Sequence, residues 1–143
     1  KGLAAPVGSI LAGPAAFIAR ARKHRKLLGG GMRQAGVLAA PGMLALTDMV
    51  ARLPEDHANA RYMAEKLAAL PGVQVNMDDV HINMVWFQLP ATLDSSKLMA
   101  ALTAAGIKAN GPEGGRMRLV THWQIGRDDI DRIVAVFASV LAA

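Results

Sequence analysis

The sequence contains no cysteine, which excludes disulfides, thiolate metal sites and a cysteine nucleophile together and is compatible with a reducing cytoplasm. Aromatic residues are only 4% of the chain. None is interleaved with the basic residues, and no recognised nucleic-acid-binding motif is present, so a nucleic-acid partner is not expected. Long uncharged runs are also missing. The two longest extend from Gly2 to Ala19, interrupted by Pro6 and Pro14, and from Gln34 to Thr47, interrupted by Pro41, both shorter than the roughly 20 apolar residues that cross a bilayer, so no membrane partner is expected. Acid is absent from the whole first third, the first carboxylate being Asp48.

Apolar residues make up 52% of the 143 positions, a little above the globular average, which excludes global disorder and allows one compact domain or pieces of two. The net charge is +5. Its location says more than its size: Lys1, Arg20, Arg22, Lys23, Arg25, Lys26 and Arg33 all precede Asp48, and the rest of the chain is slightly acidic. Such a block fits an anionic partner (nucleic acid, a phosphate-bearing ligand, or an acidic surface on another subunit) or a solvated basic helix. With no initiator Met and no signal or transit segment at its start, the chain reads as the C-terminal part of something longer.

Val7–Ala12 is a short apolar run between Pro6 and Gly13, the pattern of a buried strand, and Pro14 opens a helix with Phe17, Ile18, Ala21 and Leu28 on one face. Basic residues occupy the rest of its circumference, leaving no clean solvent face. Gly29-Gly30-Gly31 ends it. A second helical run from about Gln34 to Leu53 is apolar nearly all round and so expected to be buried, with a kink at Pro41-Gly42. Its amphipathic continuation begins near Pro54, has Glu55 and Asp56 in the first turn, and stops at Pro71-Gly72. Strands are predicted at Val73–Asn76 and Ile82–Leu89, the second apolar on both faces. A helix carrying Leu98, Met99 and Leu102 closes at Gly106. Ile107–Asn110 and Arg116–His122 read as a strand pair across a glycine-rich turn, and a last helix opens at Asp128 and Asp129. Two strands, helix, two strands, helix make a small α+β unit with one covered face. The part before about residue 50 lies outside that unit and is expected to complete a larger domain.

Several chemistries fail on spacing. His24, His57, His81 and His122 form no His-x-x-x-His pair, so no metal site is expected, and His57 and His122 read as hydrogen-bonded structural groups. Ser9 lacks the second glycine of a nucleophile elbow. The triglycine is followed by no Gly-Lys-Ser/Thr and by itself is a helix stop. Lys26 one turn before it and Arg33 two residues after it, however, put two cations beside backbone that a phosphate can approach closely. On the strand Arg116–His122 the period of two places Arg116, Arg118, Val120 and His122 on one face. An arginine in mid-strand is costly unless an anion meets it, and its fork grips a carboxylate through two parallel hydrogen bonds.

These residues carry a resemblance. Lys1-Gly2-Leu3-Ala4-Ala5-Pro6-Val7-Gly8-Ser9 is similar to the segment around the pyridoxal-phosphate lysine of low-specificity L-threonine aldolases. Arg25-Lys26-Leu27-Leu28-Gly29-Gly30-Gly31-Met32-Arg33-Gln34 resembles that family's triglycine block. Arg52-Leu53-Pro54-Glu55-Asp56-His57 and Arg118-Leu119-Val120-Thr121-His122 resemble two more of its blocks, in the same order and spacing.

The resemblance implies an α/β, fold-type-I, PLP-dependent transferase-like fold, with residues 1–50 ending the large cofactor domain and residues 51–143 forming the small C-terminal α+β domain. It implies a cytoplasmic aldehyde-lyase that cleaves L-threonine, L-allo-threonine and related β-hydroxy-α-amino acids to glycine and an aldehyde. Pyridoxal 5'-phosphate would be held by Lys1, the catalytic residue, with Lys26 and Arg33 reaching its phosphate from a neighbouring subunit. Arg118 would bind the substrate carboxylate, in a homotetramer with shared active sites. The family's stacking histidine, its pyridine-facing aspartate and one substrate arginine have no counterpart here, so these residues are an incomplete catalyst. The alternatives are another fold-type-I lyase or transaminase and, from another class, a basic nucleic-acid-binding module.

Overall fold

A computed structural model describes residues 2–142, and the chain divides into two compact units, Lys1–Ala51 and Arg52–Ala143.

The first unit is helical. Helix α1, Ala15–Leu27, starts after Pro14 and ends in a Schellman motif. Gly29 takes φ +83, its N–H reaches the Lys26 carbonyl at 3.2 Å, and the Gly30 N–H reaches the Arg25 carbonyl at 2.8 Å. Residues 7–12, expected to be a buried strand, are irregular and exposed, because no other segment among the described residues offers them a ladder. Helix α2, Gly36–Leu44, contains Pro41, yet α-geometry is lost later than the expected kink, in a π turn at Ala45–Met49 and a 3-10 turn at Val50–Arg52. The expected burial of this run is also absent within the unit. Ala45 is its one buried hydrophobic side chain among the described residues, and Leu28, Met43, Leu44 and Leu46 are exposed.

Helical backbone continues from Gly36 to Ala68, and this run includes an 18-residue window apolar enough to cross a membrane by length and composition. Counting uncharged residues alone missed it. Its second half, though, is helix α3, Leu53–Ala68, whose Ala60, Met63, Ala64 and Leu67 are buried in the core of the second unit. The apolar window itself lies almost wholly before α3, carries Asp48 and Arg52, and has Ala45 as its one buried side chain.

The second unit is one antiparallel sheet of three strands in the order β1-β2-β3, namely Gln74–Val75, Met84–Gln88 and Arg116–Val120. Helices α4, Ser95–Ala104, and α5, Arg127–Leu141, complete it. Helix α4 starts at Asp94, whose carboxylate accepts the Ser96 and Lys97 N–H groups at 2.9 and 3.3 Å. At α5 the Asp129 carboxylate accepts the Gly126 N–H at 3.1 Å. Leu98 and Leu102 of α4, Ile130 and Phe137 of α5, and the buried face of α3 join Val85, Phe87 and Met117 of the sheet in one core. Phe87 and Phe137 meet edge to face, with ring centroids 5.6 Å apart.

Two strand expectations need correction. Ile107–Asn110 obeys the period of two, with Ile107 and Ala109 packed against the core and Lys108 and Asn110 outward, but it pairs with no strand among the described residues. Ile82–Leu89 yields the central strand, but only one of its faces is covered. Val85 and Phe87 are buried, while Met84 and Trp86 are exposed.

Candidate functional site

Lys1 lies outside the described residues. In the segment that follows it, Ala4 holds φ +62, the left-handed region that a residue with a Cβ rarely enters.

Lys26 occupies the last turn of α1 beside His24 and Arg25, and its side chain folds back over Gly31. A Cβ at Gly31 would stand 2.7 Å from the Lys26 Nζ. The glycine therefore makes room for the ammonium against bare backbone, which is the cradle a phosphate requires. Arg33 is exposed two residues on. Among the described residues no acid stands within 4.0 Å of any cation of α1 or of Arg33, so this positive block has no internal counter-ion. Those features fit the phosphate of a cofactor.

Arg118 sits in the middle of β3 on the face opposite the helices. Met117 and Thr121 are buried on one side of the strand and Leu119 is half-buried, whereas Arg116, Arg118 and Val120 are exposed on the other. Opposite Arg118 in the ladder is Trp86, and the Cζ atoms of Arg116 and Arg118 lie 4.6 and 5.2 Å from its ring centroid. Arg118 borders two concavities. One, of about 640 Å³, runs between β3 and the segment around Lys108 and also receives His122 and Arg132; the other, of about 420 Å³, lies over Trp86, Asn110 and Arg116. Among the described residues Arg118 has neither an acid within 4.0 Å nor a hydrogen bond from its guanidinium. The turn that brings β3 into place is Gly114-Gly115, at φ +57 and +77, closed by the Glu113 and Arg116 backbone pair at 2.9 Å in both directions.

Two of the sequence blocks meet behind this strand. The Thr121 hydroxyl donates to the Asp56 carbonyl at 2.7 Å, joining the Arg-Leu-Val-Thr-His block to the Arg-Leu-Pro-Glu-Asp-His block at the start of α3. The Asn83 amide holds the Thr121 carbonyl at 2.9 Å. Of the two histidines expected to be structural, His122 accepts the Gln124 N–H on Nδ1 at 3.3 Å, and His57 is half-buried on α3. Sequence reasoning did not single out Trp86 or the Thr121 link. The alternation of Met84 and Trp86 against Val85 and Phe87 held the signal for Trp86, had one face been taken as open.

Comparison with solved structures defines the class. The chain superposes with a TM-score of 0.56 on a decarboxylase from Sulfurospirillum multivorans, at 23% identity, covering 84% of this chain and 36% of that one. It does so with the same score on a NifS-like protein from Rickettsia africae, at 18% identity, covering 75% and 35%. The fold is that of the fold-type-I enzymes. Residues 1–90 match the family described as Beta-eliminating lyase, and the chain belongs to that family. Among curated relatives, it is 38% identical over 143 residues to low-specificity L-threonine aldolase 1 of Arabidopsis thaliana, covering 99% of this chain and 40% of the relative. It is 40% identical over 142 residues to low specificity L-threonine aldolase of Escherichia coli strain K12, covering 99% and 41%. The chain thus spans about two fifths of the length of these relatives.

Proposed function

We propose that this chain is part of a pyridoxal-phosphate-dependent aldehyde-lyase that cleaves L-threonine and related β-hydroxy-α-amino acids to glycine and an aldehyde. The observation that carries this reading is the match over 99% of the chain to proteins named low-specificity L-threonine aldolase. In this reading residues 1–50 end the large cofactor domain and residues 51–143 are the small domain. Lys1 binds the cofactor, and Lys26 and Arg33 reach its phosphate from a neighbouring subunit of a cytoplasmic homotetramer.

The bound cofactor supplies an electron sink for the pair left on Cα when the Cα–Cβ bond breaks. This chain's residues orient the substrate for that step. Arg118, with its fork uncommitted on the open sheet face, takes the α-carboxylate through two parallel hydrogen bonds and so fixes which substituent of Cα is presented for cleavage. As the bond breaks, the β-hydroxyl loses its proton and becomes the aldehyde carbonyl, and Cα is reprotonated to give glycine.

Arg118→Lys keeps the charge but not the fork. In the whole protein it is expected to lower kcat/KM for L-threonine about a hundredfold or more while cofactor absorbance is unchanged. Near-normal turnover would place the carboxylate site elsewhere. The family's own description favours a second reading, β-elimination. Ammonia and a 2-oxo acid in place of glycine and an aldehyde would select it.

A further inference from the structure

An exposed arginine is a poor carboxylate clamp when its long side chain is free, because binding must then remove its rotamer freedom. Most proteins restrain such a side chain with an acid or a carbonyl, which occupies the donors the ligand needs. Arg118 is restrained differently. Trp86 is its cross-strand partner, and the guanidinium carbon lies 5.2 Å from the indole centroid, inside the roughly 6 Å over which a ring face attracts a cation. No described acid or hydrogen bond engages the guanidinium. The ring therefore holds the cation through its face and leaves the N–H donors available. Arg116, at 4.6 Å from the same ring, adds a second charge to the patch and keeps its potential positive.

We propose that Trp86 is a positioning residue for the carboxylate site: it holds the Arg118 fork over the open face of the sheet before the substrate arrives. This rests on the reading of Arg118 as the carboxylate-binding residue and adds how that residue is made ready. Trp86 touches the cation, not the reacting atoms, so its loss weakens binding of anything with the α-carboxylate and leaves the bond-breaking step intact.

The test uses the whole cofactor-loaded protein. Steady-state kinetics with L-threonine and calorimetric titration with glycine are compared in Trp86→Leu, Trp86→Phe, Arg118→Ala and the Trp86→Leu/Arg118→Ala double variant. Trp86→Leu is expected to raise both KM and the glycine Kd by about three- to thirtyfold, with kcat within about a factor of two. Trp86→Phe, which keeps a ring, recovers most of that loss. In the double variant the glycine Kd stays within about twofold of Arg118→Ala alone, since the ring acts only through the cation. Trp86→Met, which keeps bulk without a ring at this exposed position, repeats the measurement if the leucine variant folds poorly. Unchanged glycine binding in the ringless variants, or losses that multiply fully in the double variant, overturn the role of Trp86 while Arg118 stands. A wild-type Kd in Arg118→Ala removes the carboxylate reading itself, and the role of Trp86 with it.

Discussion

Asp56 is 1% exposed, and the cation against it is Arg52, whose Nη1 lies 3.2 Å from both carboxylate oxygens. The N–H direction serves Oδ2, so Oδ1 is buried with no hydrogen bond. Such a carboxylate depends on its partner, because desolvation of a charge is offset only by an opposite charge held in place. Arg52→Ala is therefore expected to destabilise the protein by about 3 kcal/mol or more, well beyond a surface substitution, as read from denaturant unfolding with Arg52→Lys recovering part of the loss. A loss under about 1 kcal/mol would mean that the pair contributes no more than a surface ion pair. The same residue offers its main-chain carbonyl to Thr121, so the start of α3 and the end of β3 are tied at one position by a 2.7 Å bond.

At the scale of elements, α3 and α5 are joined on their exposed sides by a small polar cluster. The Tyr62 hydroxyl donates to Asp131 at 2.8 Å, Lys66 lies 3.2 Å from the same carboxylate, and Arg127 stacks 4.5 Å over the Tyr62 ring. The Tyr62 hydrogen bond first, and Lys66 next, hold the Asp131 carboxyl below the ordinary carboxylate range; Tyr62 first and then Asp131 hold the Lys66 ammonium above the ordinary lysine range. A lowered carboxyl pKa contributes stability above its unfolded value, lost as pH falls through the folded one. A raised ammonium pKa contributes below its unfolded value and is lost as pH rises through the folded one. The melting difference between wild type and Asp131→Asn is thus expected to be flat from about pH 5 to 9 and to narrow below about pH 4. A difference that changes steadily through neutral pH would contradict this.

Most helices were legible because their signals are local. Pro14, Gly106 and the spacing of Leu98 and Leu102 mark their helices in the sequence, whereas the Asp94 cap emerged only in the structure. The strands were harder. Val7–Ala12 and Ile107–Asn110 have strand patterns, but a strand exists only through a partner, and no pattern within one segment says whether a partner arrives. For the same reason Arg118 was legible as a mid-strand cation in need of an anion, and neither its exposure nor the ring beside it was. Register across the sheet is what brings Trp86 to that position.

Taken as a whole molecule, burial is uneven. Among the described residues every buried hydrophobic side chain except Ala45 lies in the second unit, and helix α1 buries none. Short helices without a packed face are marginal in water, whereas a sheet covered by three helices has a core. The fragment Arg52–Ala143, expressed alone, is expected to melt cooperatively by circular dichroism, and Lys1–Ala51 alone to lose helix gradually without a transition. A sigmoidal melt of the shorter fragment would refute this. Strand β3 has a consequence of a different kind. Its even-numbered positions from Arg116 to Val120 belong to the surface and its odd ones, Met117 and Leu119, to the interior, so neighbouring residues of one short segment answer to separate selective demands. Lineages that share this strand can exchange Arg116, Val120 or the facing Met84 and drift towards new ligands without disturbing the core, and specificity becomes cheap to vary while the architecture persists.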